Sequence, residues 1–115
     1  MIIYNMLKKD YFKIKDEEFF GTISKEHPFI HCSTIQNFCY VTPRFKDIKE
    51  EMVIILLDEN KLSSVVKYEN GAKVGVRLYP HIYGLINKNA VIKVLPLILD
   101  NEGNWIKNKE IIDYK

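Results

Sequence analysis

The run Met52-Val53-Ile54-Ile55-Leu56-Leu57 has no polar position, and charge fences it on both sides, Lys49-Glu50-Glu51 before and Asp58-Glu59 after. A short, β-branched-rich apolar run bounded in this way reads as a buried strand. The longest apolar runs are far shorter than the roughly 20 residues needed to cross a bilayer, so no membrane association is expected. At 115 residues the chain is expected to be a single domain, residues 1–115, large enough to bury a core without a staple.

The rest of the pattern supplies partners for that strand. Ile2-Ile3-Tyr4 gives an opening strand. From about Lys9 to Phe20, aromatic and aliphatic residues alternate with Lys, Asp and Glu at a spacing that fits an amphipathic helix, with Gly21 as its stop. Phe29 to Cys32 should be extended after Pro28. Ser33 with Gln36 matches a capping box, which starts a second helix near Thr34 that kinks or restarts at Pro43. Asp58 to Ser64 reads as a turn with a short helical turn. Val65 to Glu69 is a strand, Asn70-Gly71 a hairpin turn, and Val74 to Tyr79 a half-buried strand. Ala90 to Leu99 is a strand broken at Pro96, as at an edge or a bulge. A turn at Asp100–Gly103 leads to a return strand from Trp105. The order implies an α+β fold, mainly antiparallel, with two helices in the N-terminal half.

Composition removes several functions. Net charge is +2 with scattered lysines, so no basic stripe marks a nucleic-acid partner. Cys32 and Cys39, on or beside the second helix and outside any C-x-x-C pair, imply no disulfide framework and a reducing cytoplasm. No basic region, apolar stretch and cleavage site follow in order at the start. His27, His31 and Cys32 lie too close on one short strand to surround a metal, and no metal is expected. No Gly-rich phosphate loop, G-x-S-x-G elbow or H-E-x-x-H is present.

Two apolar segments each hold a histidine: Phe29-Ile30-His31-Cys32-Ser33 and Tyr79-Pro80-His81-Ile82-Tyr83-Gly84. Imidazole is the side chain that titrates nearest neutrality, and inside an apolar run it needs a partner or a role. Strand alternation points Ile30 and Cys32 one way and Phe29, His31 and Ser33 the other. His31 and Ser33 then emerge beside a helix N-terminus, where anions such as phosphate are attracted. The plainer alternative has Ser33 as a cap and His31 bonded to a carbonyl. In the second segment Tyr79, His81 and Tyr83 share a face suited to stacking an aromatic ring; the plainer alternative is a rim of packed tyrosines. Arg44 suits a phosphate, and Glu69, at a strand end, a sugar hydroxyl. Inward orientation makes Cys32 a poor nucleophile.

These segments, with Ile3-Tyr4, Arg44-Phe45, Tyr68-Glu69, Ala90-Val91 and Pro96-Leu97, resemble in order the bacterial "domain of unknown function 952" family. The resemblance implies an ADP-ribosyltransferase-like fold, a split pair of small antiparallel sheets gripping NAD. It implies His31 and Ser33 near the nicotinamide ribose, His81 and Tyr83 across the groove with Tyr79 alongside, Arg44 at the pyrophosphate and Glu69 at a ribose hydroxyl. His31, His81 and Glu69 would be catalytic, and Asn5, Ser33, Arg44, Tyr79 and Tyr83 would bind. NAD would be substrate rather than a tightly held cofactor. Family members typically carry histidine where this chain has Asn5, which can bond a ribose hydroxyl but cannot titrate. Three functions follow as alternatives: an ADP-ribosyl-class enzyme acting on NAD or a related nucleotide, a non-catalytic nucleotide-binding module, or an interaction domain whose histidines are merely satisfied.

Overall fold

Nine strands and one helix make up the described part of the chain. The computed structural model describes residues 1–70 and 77–113, with side chains through Ile111. In chain order the elements are β1 (Ile2–Leu7), α1 (Lys8–Ile14), β2 (Phe19–Phe20), β3 (Ile30–His31), β4 (Ser33–Thr34), β5 (Met52–Leu57), β6 (Val65–Asn70), β7 (Leu78–Tyr83), β8 (Ile86–Asn87) and β9 (Val91–Pro96). They form a four-stranded sheet in the order β4-β1-β5-β9, a three-stranded sheet β3-β7-β6 and a two-stranded sheet β2-β8. Every pairing is antiparallel. The fold is mixed α/β with mostly antiparallel sheets.

The apolar run of β5 explains the layering. Alternate side chains point to opposite faces of a strand, and both faces of β5 are covered. Val53, Ile55 and Leu57 join Ile2, Phe20, Ile30, Ile82 and Ile86 in one core, beneath the two smaller sheets. Ile54 and Leu56 join Ile3, Phe38, Leu95 and Ile111 in a second core. A strand with no solvent face has no polar position, and β5 sits between β1 and β9 as its sequence requires. Pro96 closes β9 at the sheet edge, where a missing N–H costs no ladder bond. Trp105 makes only an isolated bridge to Leu99 rather than a return strand.

Two expectations about helices are corrected. The first helix ends at Ile14, because Asp16, Glu17 and Glu18 would crowd the negative end of a longer helix. Phe19 and Phe20 instead form β2 on β8, with Phe20 buried and Phe19 out. The second α-helix is absent. Ser33 is buried and registered on Ile3 of β1, and its hydroxyl donates to the Thr34 carbonyl instead of capping. The cap shifts by one residue: Thr34 Oγ1 accepts from Asn37 N at 3.1 Å. Two 3-10 turns follow, Phe38–Tyr40 and Thr42–Phe45, the second restarting around Pro43. The anion site expected at that helix N-terminus goes with the helix.

The turn at Asp58 to Ser64 forms, with a 3-10 turn at Glu59–Lys61 capped by Asp58. Gly71 of the Asn70-Gly71 turn lies outside the described residues, as do Val74, Gly75 and Val76. No helix among the described residues is long and apolar enough to cross a membrane.

A two-histidine cleft as the candidate functional site

The site is built where the chain changes sheets. β3 belongs to the three-stranded sheet and β4 to the four-stranded one, and only Cys32 stands between them. Cys32 is buried, and its N–H donates to the Pro80 carbonyl at 3.1 Å. The two sheets diverge from that residue and leave a cleft of about 620 Å³, within the roughly 300–1,000 Å³ usual for ligand pockets. Tyr4 and Asn5 of β1 line one wall, His31, Tyr79 and His81 the other, and Val41, Arg44 and Phe45 of the 3-10 turns a third.

Register brings the histidines together. His31 on β3 is directly opposite His81 on β7, and their rings meet edge to face with centroids 5.0 Å apart. Phe29 stacks on His81 at 4.2 Å and presents an edge to His31 at 4.9 Å. Tyr83 reaches the same ring at 5.1 Å. Under this cover His81 is buried, while His31 is exposed. Desolvation of the part of the His31 ring packed beside Phe29 and His81, and then repulsion from His81, His27 and Arg44, hold its pKa below the ordinary value.

Glu69 stands behind His81. Its Oε1 accepts from the Tyr83 hydroxyl at 2.6 Å and bonds His81 Nδ1 at 2.8 Å. Both hydrogen bonds favour the carboxylate, Tyr83 first, and lower its pKa; the same bond raises that of the Tyr83 phenol. An ionised carboxylate only accepts, so Nδ1 of His81 carries the proton. Nε2 is then the ring's free nitrogen, an acceptor while the imidazole is neutral. This is the arrangement of an acid–base group oriented by a third residue.

Residues 7–94 match the family described as "Protein of unknown function (DUF952)". The chain belongs to that family. The fold of this DUF952 chain is similar to the crystal structure of protein CC0527 from Caulobacter crescentus, with a TM-score of 0.75 and 19% identity, covering 98% of this chain and 96% of that one. A solution structure of CC0527 gives 0.69 and 20%, with coverages of 99% and 95%. No curated protein matches the chain.

Of the expected site residues in the DUF952 chain, Asn5, His31, Ser33, Arg44, Tyr79 and His81 line this one cleft. Glu69 and Tyr83 do not line it; they reach it through His81. Ser33 and His31 do not emerge together, since Ser33 is buried and turned to the Thr34 carbonyl. Cys32 points inward as expected, and burial pushes its thiol far above the ordinary range. Two further residues belong to the site. Phe29 lines the cleft, and strand alternation alone marks it, two residues before His31 and on the same face. His27 also lines the cleft, and nothing in its polar loop marks it in the sequence.

A trough of about 850 Å³ adjoins the cleft and shares Tyr4, Asn5 and Thr22 with it. It has no histidine, and two of its carboxylates, Asp10 and Glu50, are paired with Lys13 and Lys9. Among the described residues no group of three His, Cys, Asp or Glu side chains is placed to hold a metal ion.

Proposed function

We propose that the cleft binds an ADP-ribose-type nucleotide, and that the chain is an ADP-ribosyltransferase-like protein acting on NAD or a relative. The observation that carries this reading is the meeting of His31 and His81 in one cleft, with His81 oriented from behind by Glu69. Small antiparallel sheets parting around that cleft accord with the ADP-ribosyltransferase-like architecture that the sequence resemblance implies. Arg44 has no ion-pair partner among the described residues and suits a pyrophosphate. The Asn5 amide can bond a ribose hydroxyl from the opposite wall, and Tyr79 offers a ring face for a base.

In this reading the bond between nicotinamide and ribose breaks through an oxocarbenium-like state: nicotinamide leaves with the bonding pair, and water or an acceptor nucleophile bonds to the anomeric carbon and gives up a proton to solvent. His81 Nε2 accepts a hydrogen bond from a ribose hydroxyl and shifts electron density toward the sugar. Glu69 and Tyr83 act as positioning residues, since they fix the tautomer rather than touch the ligand. One observation favours the second reading, a nucleotide-binding module without turnover: no carboxylate lines the cleft to face a developing cation. Asn5, which cannot titrate, points the same way.

Calorimetry with NAD and ADP-ribose, together with an assay for free nicotinamide, separates the readings. Binding with nicotinamide release supports the enzyme, and binding without release supports the module. His31→Ala and His81→Ala should each weaken binding at least about tenfold, as expected for losing a hydrogen bond to a charged or polar ligand group. Absence of binding by either nucleotide refutes both readings.

A further inference from the structure

The side chains around His31 share an unusual charge pattern. His27, His31, His81 and Arg44 all line the cleft, and no Asp or Glu does. They arrive from separate parts of the chain: the loop before β3, β3 itself, β7 and the 3-10 turn at Thr42–Phe45. No hydrogen bond or ion pair among the described residues engages the heads of His27, His31 or Arg44. Glu69, the carboxylate behind His81, is held by Tyr83 and His81. Tyr4, Tyr79 and Cys32 complete the titratable lining; burial raises the Tyr4 and Cys32 pKa values, so that phenol and that thiol stay neutral. His81 aside, which Glu69 holds, a wall of unpaired cationic and protonatable groups is built for an anion.

We propose that this wall is a phosphoryl subsite in which Arg44, His31 and His27 hold a phosphate or pyrophosphate group, and that the cleft takes up a proton from solvent as the anion binds. The remainder of the ligand rests on the nucleotide reading, but the anion site does not. Partial desolvation of the ring opposes a charge on His31, and its neighbours His81, His27 and Arg44 oppose it further. A bound phosphoryl oxygen reverses the sign of that environment, and the proton enters on the imidazole beside it. Ligand affinity therefore rises as pH falls, by linkage between the two binding events.

Histidine ring NMR of the full chain over about pH 5 to 8 tests this, because it reads each imidazole separately. Sulfate is the first probe, as its charge is constant over that range, with sodium chloride at matched ionic strength as control. ADP-ribose is the second. Saturating sulfate and ADP-ribose should each raise the His31 midpoint by about one pH unit, and Arg44→Gln should remove most of that rise. ADP-ribose affinity should climb by about tenfold in all as pH falls through the two midpoints, and His31→Gln should flatten the rise. Arg44 and His31 are both exposed, so these variants leave the core intact; a melting curve checks it. A His31 midpoint unmoved by either anion, or moved equally by chloride, overturns the proposal. If sulfate moves His31 and ADP-ribose does not bind, the phosphoryl subsite stands and the nucleotide reading falls. If ADP-ribose binds without moving His31, the nucleotide reading stands and proton uptake falls.

Discussion

Phe29→Ala should strike stability and the histidine titration together. The ring touches three others: it stacks on His81, meets His31 by its edge and tilts against Tyr83. Phe29 is half-buried, so its loss removes about 1 kcal/mol of apolar burial, at the low end for a phenyl ring. Each aromatic contact adds about 0.5 kcal/mol or more beyond burial, which brings the cost to about 2.5 kcal/mol. For a chain of this length, an unfolding entropy near 2.1 cal/mol/K per residue converts that to a fall in Tm of about 10 °C. Water would also reach the imidazoles. Because burial is the first cause of the depressed His31 pKa, its midpoint should climb toward the ordinary value of about 6.5. Phe29→Leu separates the two parts, since it keeps apolar cover and loses the ring contacts; about half the stability loss should remain. Thermal melts and ring NMR across pH provide the readouts. A Phe29→Ala protein within about 0.5 kcal/mol of the parent, with His31 titrating unchanged, would refute the view that this ring organises the site.

The low His31 pKa also sets a direction for stability. An unfolded imidazole takes a proton near about pH 6.5 while the folded one resists, so stability should decline as pH falls below that value. His31→Gln should flatten this decline in denaturant titrations, and an unchanged slope would assign it to another group. The lowered Glu69 and Asp100 carboxyls act in a separate, more acidic window, where their contribution is lost as they protonate. Gly84 has φ +150°, and a Cβ there would fall 2.3 Å from Ser64 Oγ, whose hydroxyl donates to the Leu85 carbonyl at 2.7 Å. Gly84→Ala should therefore cost about 1–3 kcal/mol, with partial recovery in the double variant with Ser64→Ala; an unchanged Tm counts against the strain. With Cys32 buried and Cys39 exposed, a thiol reagent should modify one cysteine in the native protein and the second only on unfolding. Rapid reaction of both would show that the apex between the sheets is open to solvent.

Strand alternation was the most readable signal, because it depends only on which side chains can face water. It turned Cys32 inward and put Phe29 and His31 on one face, while short apolar, β-branched-rich runs located β1, β5, β6 and β9. Capping signals were less secure. Ser33 and Gln36 have the right spacing, yet pairing of Ser33 with Ile3 takes the backbone groups that a helix would use. Helical spacing in Lys9 to Phe20 misled for a related reason: Phe20 gains more from the main core than from an extended helix. The cleft itself was legible only in part. No local pattern shows that His31 and His81 are cross-strand partners, or that Glu69 approaches His81 from behind rather than the ligand. Family membership came from the order of the motifs, whereas the partnership between rings came from the sheet register.

Crossing between two sheets with a single residue leaves the chain no slack at Cys32. One added or deleted residue there would exchange every inward and outward side chain on one side of the junction, turning His31 into the core or Ser33 out of it. The stretch from Thr22 to Pro28, half-exposed or exposed throughout, carries no such penalty. Length can therefore change along one lip of the cleft but not at its vertex. A protein built this way can be retailored to new ligands by loop editing while its imidazole pair stays in phase, much as a pair of tongs can be given new tips without touching the rivet.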